Sequence, residues 1–252
     1  LTGGAGADTI EGGSGSAADT LSYSTATATV ISSLSAGNYS YIKTGASTTT
    51  AISFSVADAS VGSVRNAVGA SAGDANGDVI SGIENMTGSA FNDVLIGNSG
   101  NNVLDGGAGS DTLNGLSDTD SDTATYASAT GAVTASLSTG AFLTAAGATV
   151  TFSASGGGIL NGGTTTTAGQ ASGDTLVFIE NLTASAYDDT VIGDGNANIL
   201  DGGAGNDILQ GMGGADILYG NTGTGDTASY ANAGAGVVAS LQEGTFGSVT
   251  FS

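Results

Sequence analysis

The residues in this chain that could do chemistry are aspartates, and they recur in phase. Asp201-Gly202-Gly203-Ala204-Gly205-Asn206-Asp207-Ile208-Leu209-Gln210 runs straight into Gly211-Met212-Gly213-Gly214-Ala215-Asp216-Ile217-Leu218-Tyr219. From Gly202 onward these are nine-residue units of the form G-G-x-G-x-D-x-U-x, with U a large aliphatic. The sixth position reads Asp93, Asn102, Asp111 in one run and Asp189, Asn198, Asp207, Asp216 in another. The U position reads Leu95, Leu104, Leu113 and then Val191, Leu200, Leu209, Leu218. A shorter patch, Gly3-Gly4-Ala5-Gly6-Ala7-Asp8-Thr9-Ile10, has the same order.

Carboxylates repeated in this way call for a cation. Neighbouring strands lie about 4.8 Å apart, so aspartates in one phase stack about 5 to 10 Å apart. At an effective dielectric near 20, two unit charges at about 5 Å repel by roughly 3 kcal/mol. That is large beside the net stability of a domain, about 5 to 15 kcal/mol. Calcium suits such a row, because it is a hard ion that takes about six to eight oxygens. Magnesium wants a tighter octahedron. Zinc wants His or Cys, and the chain has neither.

The elements that would position these carboxylates follow from the same nine residues. Glycines supply the positive φ of tight turns. The aliphatic U points inward, and stacked coils bury a column of such residues. One coil cannot bury its own face, so the stack is cooperative. No segment of useful length shows apolar residues at helical spacing. The predicted fold is all-β: a parallel β-roll or β-helix solenoid of nonapeptide calcium-binding turns, with β excursions and no substantial helix.

A larger period surrounds the small one. Asp19-Thr20-Leu21-Ser22-Tyr23, Asp122-Thr123-Ala124-Thr125-Tyr126 and Asp226-Thr227-Ala228-Ser229-Tyr230 align, with a period of about 100 residues. Each is followed by an alternating run, Val30-Ile31-Ser32-Ser33-Leu34, Val133-Thr134-Ala135-Ser136-Leu137 and Val237-Val238-Ala239-Ser240-Leu241, which reads as a half-buried strand. A Thr/Ser-rich strand then ends in Phe54, Phe152 or Phe251. Gly77-Asp78-Val79-Ile80-Ser81-Gly82-Ile83-Glu84-Asn85 matches Gly173-Asp174-Thr175-Leu176-Val177-Phe178-Ile179-Glu180-Asn181. Three modules are expected, over residues 1–88, 89–183 and 184–252, the third truncated. The stretches 24–76 and 127–171 fit no nonapeptide, and read either as strands of the same solenoid or as a side sheet.

Composition narrows the function classes. The chain has 252 residues, 23 acidic and two basic (Lys43 and Arg65), for a net charge of -21. That balance argues against nucleic acid and against anionic membranes. Acidic chains can be disordered, but 39% of these residues are hydrophobic and 10% charged, which favours a folded chain. There is no Cys, so something other than a disulfide must staple the fold, and a metal ion can serve. No window is apolar enough for a transmembrane helix, and Leu1-Thr2-Gly3-Gly4 opens inside a repeat rather than in a signal peptide. The chain is expected to be a stretch of a longer protein.

These turns resemble those of RTX proteins, the repeat-in-toxin group exported by type I secretion. The resemblance covers about half of the chain and implies a right-handed parallel β-roll with several calcium ions between turns. It carries the sixth-position ligand onto Asp8, Asp93, Asp111, Asp189, Asp207 and Asp216. Asp19, Asp122 and Asp226 stand in stretched units, and Asn102 and Asn198 offer an amide oxygen without charge. Asp78, Glu84, Asp174 and Glu180 recur in the modules, either as calcium ligands or as acceptors for turn amides, the alternative being the paired carboxylates of a glycosidase. The resemblance further implies export unfolded from a calcium-poor cytoplasm and folding outside the cell.

Other motifs are read against their plain alternatives. Asp118-Thr119-Asp120-Ser121-Asp122 begins like an EF-hand loop, but Thr123 and Ala129 stand where Gly and Glu are needed. It reads as an irregular acidic turn with room for one ion. Gly69-Ala70-Ser71-Ala72-Gly73 matches a serine-hydrolase elbow, yet a chain without His builds no Ser-His-Asp triad. Tyr23, Tyr126 and Tyr230 read as packing residues. Asn38, Asn85 and Asn181 open glycosylation sequons in a Ser/Thr-rich chain.

The expected function is structural: a secreted, calcium-stabilised repeat protein of a bacterial surface, from a surface layer, an extracellular filament or an adhesin stalk, and not an enzyme. Its expected partners are other copies of itself, in a lattice or filament, or other surface components, with no nucleic acid and no membrane insertion. Two alternatives stay open. One is the roll portion of a type I-secreted enzyme or toxin. The other is a sugar- or ice-binding adhesin using Thr48-Thr49-Thr50 and Thr164-Thr165-Thr166-Thr167.

Overall fold

Every coil of the chain contributes one short strand to each of two facing sheets. The computed structural model describes residues 1–13, 17–35, 37–42, 49–54, 62–66, 77–116, 119–143, 149–152, 157–161, 173–241, 244–246 and 249–251. Among these residues all regular structure is strand. Asp118, Thr48, Gly69-Ala70-Ser71-Ala72-Gly73 and Thr164-Thr165-Thr166-Thr167 lie outside the described residues.

In spatial order, the seven-stranded sheet runs Thr20–Ser22, Asn85–Thr87, Val103–Asp105, Thr123–Thr125, Asn181–Thr183, Ile199–Asp201, Ile217–Tyr219, all parallel. The twelve-stranded sheet begins Thr9–Glu11, Val79–Ser81, Gly62–Asn66, Val30–Ser33, Val94–Ile96, Thr112–Asn114, Thr175–Val177. It continues Gly157–Asn161, Val133–Ser136, Thr190–Ile192, Ile208–Gln210, Thr227–Ala228. Consecutive nonapeptides therefore land on opposite sheets. Units eighteen residues apart are the ones that stack, as in Leu95↔Leu113 and Leu182↔Leu200.

Three-residue strands suffice because the register puts one side chain per strand into the core. Leu21, Met86, Leu104, Ala124, Leu182 and Leu200 stack in one column, each at 1% exposure or less. Ile80, Leu95, Leu113, Leu176 and Val191 line the facing sheet, each at 2% exposure or less. Burying one such side chain is worth about 1.5 to 3 kcal/mol. Flanking residues such as Val103, Ile199 and Ile217 are exposed, whereas Val94 and Ile96 beside Leu95, and Ile192 beside Val191, are buried.

The stretches that fit no nonapeptide do both of the things left open for them. Gly62–Asn66 enters the twelve-stranded sheet antiparallel, between Val30–Ser33 and Val79–Ser81. Gly157–Asn161 does the same between Val133–Ser136 and Thr175–Val177. Gly37–Ile42 with Thr49–Phe54, and Gly140–Leu143 with Thr149–Phe152, form separate two-stranded sheets.

One expectation differs. The run Val237-Val238-Ala239-Ser240-Leu241 forms no strand, and Val237, Val238 and Leu241 are exposed. Its counterparts Val30–Ser33 and Val133–Ser136 are held between an antiparallel strand and the next coil. Among the described residues, 237–241 have neither neighbour. The alternation is a strand pattern, but a strand forms only where a partner supplies the hydrogen bonds.

Candidate metal-binding ladders

Each turn is shaped by glycines with two different duties. The second and fourth positions take left-handed backbone, with φ of 85° and 138° at Gly107 and Gly109 and 85° and 126° at Gly203 and Gly205. The first position is a matter of space. A Cβ on Gly106 would land on the Asp111 carboxylate, and one on Gly202 on that of Asp207. The preceding aspartate fastens the turn, as Asp105 Oδ1 accepts from Gly107 N at 3.0 Å and Asp201 Oδ1 from Gly203 N at 2.9 Å.

The sixth-position side chains form two ladders, one at the edge of each sheet. On the twelve-stranded side, a carboxylate of one coil accepts the backbone N–H of the coil before it. Asp78 Oδ1 accepts from Asp8 at 2.8 Å, and Asp111 Oδ1 from Asp93 at 2.7 Å. Asp174 Oδ1 accepts from Asp111 at 2.7 Å. Further along, Asp207 accepts from Asp189 at 2.9 Å and Asp226 from Asp207 at 3.0 Å. Asp93 and Asp189 extend the ladder onto the excursions by accepting Val30 N and Val133 N, each at 2.6 Å. On the other side, Glu84 accepts from Asp19 at 2.8 Å, Asp122 from Asn102 at 2.7 Å, Glu180 from Asp122 at 2.9 Å, and Asp216 from Asn198 at 3.0 Å. Glu84 and Glu180 thus stand on rungs of one ladder while Asp78 and Asp174 stand on the other. All four cap amides.

The second carboxylate oxygen separates the rungs into kinds. Asp8, Asp111, Asp122 and Asp207 each keep Oδ2 buried with no hydrogen-bond partner. Asp93 and Asp189 share both oxygens with Ser89 and Ser185, whose hydroxyls donate to them at 2.8 to 3.0 Å. Asp78 Oδ2 and Asp174 Oδ2 accept the hydroxyls of Tyr23 and Tyr126 at 2.9 and 3.1 Å. Tyr23 and Tyr126 are therefore partners of the ladder as well as core residues, whereas Tyr230 is exposed. The asparagine rungs close on themselves. Asn102 Nδ2 donates to Glu84 O at 2.7 Å while its Oδ1 accepts from Asn98 N, and Asn198 Nδ2 donates to Glu180 O at 2.8 Å while its Oδ1 accepts from Asp194 N.

This burial is electrostatically costly, because two basic residues face 23 acidic ones in the whole chain. Burial pushes the Asp93 carboxyl up to about 6. Asp207 is also held up at about 6, by burial first and then by the charges of Asp189, Asp226 and Asp188. Burial, with repulsion from Asp120 and Glu180, lifts Asp122 to about 7. Asp111 and Asp174 are both raised, by burial first. Such oxygens want positive charge.

The donor set fits a hard divalent cation. It is oxygen only, and orphaned Oδ2 atoms sit beside turn carbonyls: at Gly115 the missing Cβ leaves a space faced by Asp122 Oδ2 and Phe178 O together. Among the described residues no three acidic side chains converge on one point. Each ion would accordingly draw one or two carboxylates and several backbone carbonyls, as calcium sites with mixed oxygen ligands do.

Sequence reasoning missed the Ser89 and Ser185 brackets, the tyrosine donors and the Asp105 and Asp201 staples. The staples had a signal, an Asp two residues before a left-handed Gly. The sequon at Asn181 is closed to a glycan, because Asn181 is buried and donates to Ser121 Oγ at 2.8 Å.

The RTX calcium-binding nonapeptide repeat matches the chain in four copies, over residues 1–16, 87–122, 178–209 and 192–225. No curated protein matches it.

Proposed function

From the premise that this chain carries RTX repeats, which bind several calcium ions and are typical of secreted proteins, we propose a structural role outside the cell. The chain is read as a stretch of a calcium-stabilised repeat protein of a bacterial surface, from a surface layer, filament or adhesin stalk. Its modules, 1–88, 89–183 and 184–252, act as spacers in series and carry no catalysis. The observation that carries this reading is the pair of carboxylate ladders with orphaned oxygens and almost no basic side chains to answer them. The ion-holding rungs are proposed to be those of Asp8, Asp111, Asp122 and Asp207, with Asp19, Asp93, Asp189, Asp216 and Asp226 contributing from the same ladders. Asn102 and Asn198 close their rungs by amide hydrogen bonds instead. The second carboxylates, Asp78, Glu84, Asp174 and Glu180, position the turns. Extracellular calcium modules bind at about 10⁻⁴ to 10⁻³ M, so the roll closes after export.

The test is circular dichroism of the chain in a chelator and then in millimolar calcium, followed by electron microscopy of the calcium form. A coil spectrum that becomes β with calcium, and ordered sheets or filaments in the micrographs, are expected. A β spectrum indifferent to chelation would sink the calcium reading, and monodisperse particles at all concentrations would sink the assembly.

A further inference from the structure

The unit after Asp111 contains three aspartates, Asp118, Asp120 and Asp122, where the pattern needs one. Nine residues on from Asp111 the sixth position is Asp120, in phase with the run that precedes it. The fold does not use it there. The chain takes two extra residues, and the ladder rung passes to Asp122, which accepts Asn102 N twenty residues away rather than eighteen. Ala124, and not residue 122, then enters the column against Leu104 and Leu182. Asp120 is left beside the rung with both carboxylate oxygens buried and without a hydrogen-bond partner. Asp122 is fully buried and its Oδ2 is likewise unpartnered.

Two carboxylates thus leave three buried oxygens without a hydrogen-bond donor in one turn, which is the arrangement a bound cation satisfies. The space in front of them is oxygen-lined, with Phe178 O facing Asp122 Oδ2 across the missing Cβ of Gly115. We propose that Asp120 and Asp122 together form a calcium site outside the nine-residue pattern, with Asp120 its off-register ligand. The inference rests on the reading that the ladders hold calcium. It adds a ligand that the repeat does not contain. The extra charge makes this rung tighter than its single-carboxylate neighbours, since affinity rises with the number of charged ligands.

The test compares the full chain with Asp120→Asn, and with Glu11→Gln as a matched loss of charge at an exposed position. Bound calcium is counted by native mass spectrometry and by calorimetric titration, and the calcium midpoint of folding is read by circular dichroism. Asp120→Asn should lose one ion, or weaken one site at least about tenfold, and should fold in the absence of calcium no worse than the parent. A variant that needs more calcium to fold reports the same loss. Equal ion number and equal midpoint in Asp120→Asn and Glu11→Gln overturn the proposal while leaving calcium binding by the other rungs standing. A parent chain that binds no calcium overturns the wider reading instead.

Discussion

Without calcium, this protein should become more stable as the solution is acidified, the opposite of ordinary acid denaturation. The reason is the direction of its carboxyl shifts. Asp93 is held up to about 6 by burial against an ordinary value of 3.8. A rise of about two pKa units corresponds to roughly 3 kcal/mol of penalty on the ionised form. An acid whose folded value is raised binds its proton more tightly in the folded state. Its penalty is therefore complete above the folded value, shrinks as pH falls through about 6, and is gone below about 3.8. Asp207, held up at about 6, and Asp122, at about 7, act in the same direction, as do Asp111 and Asp174. Asp93 alone should make the calcium-free chain about 2 kcal/mol more stable near pH 4.5 than near pH 7.5. Urea unfolding in calcium-depleted buffer, followed by circular dichroism, measures the difference. Relief of the net charge of -21 acts in the same sense. Asp93→Asn must therefore flatten the slope more than Glu11→Gln does. Equal stability at the two pH values, or equal slopes for the two variants, would refute the reasoning. In saturating calcium the slope should reverse, because protons then compete with the ion for the same oxygens.

Three further outcomes follow from the turns. Gly202→Ala places a Cβ against Asp207, whose own Cβ would lie 2.9 Å away, so it should cost about 1 to 3 kcal/mol and raise the calcium needed for folding in a titration. Tyr126→Phe removes the 3.1 Å donor to the Asp174 carboxylate and should cost about 1 to 3 kcal/mol in thermal unfolding with calcium present, since the oxygen is left buried and unpaired. Phe178→Gly should stabilise by up to about 1 kcal/mol in the same assay. Phe178 is exposed and sits at φ 51°, where its counterpart Gly82 sits at φ 60° without strain.

The nine-residue period determined most of this protein without help from coordinates. Phase alone identified which aliphatics are core, from Leu95 through Leu209, because each nine-residue unit returns the same position of its short strand to the inward face. It picked out Asp8, Asp93, Asp111, Asp189, Asp207 and Asp216 as carboxylates in one phase, while their division between two ladders, and the rungs of Asp78 and Asp174, lay outside the nine-residue pattern. It also foretold the all-β fold, with strand as the regular structure among the described residues. What it left undecided depends on distances that no local pattern encodes. That residues eighteen apart stack, rather than nine, follows from closing a coil across two sheets. That Asp111 Oδ2 is orphaned while Asp93 is fully bracketed follows from Ser89 standing where another turn has Gly107. That Asp122 takes the rung and strands Asp120 follows from a two-residue slip, absorbed because Ala124 fills the column as well as a residue in strict phase would. The same alternating run is a buried strand at Val30–Ser33 and exposed chain at 237–241, because a strand's hydrogen bonds belong to its neighbour. Periodicity chose the fold and the ion. Only the packed coils decided which oxygens are left for the ion to satisfy.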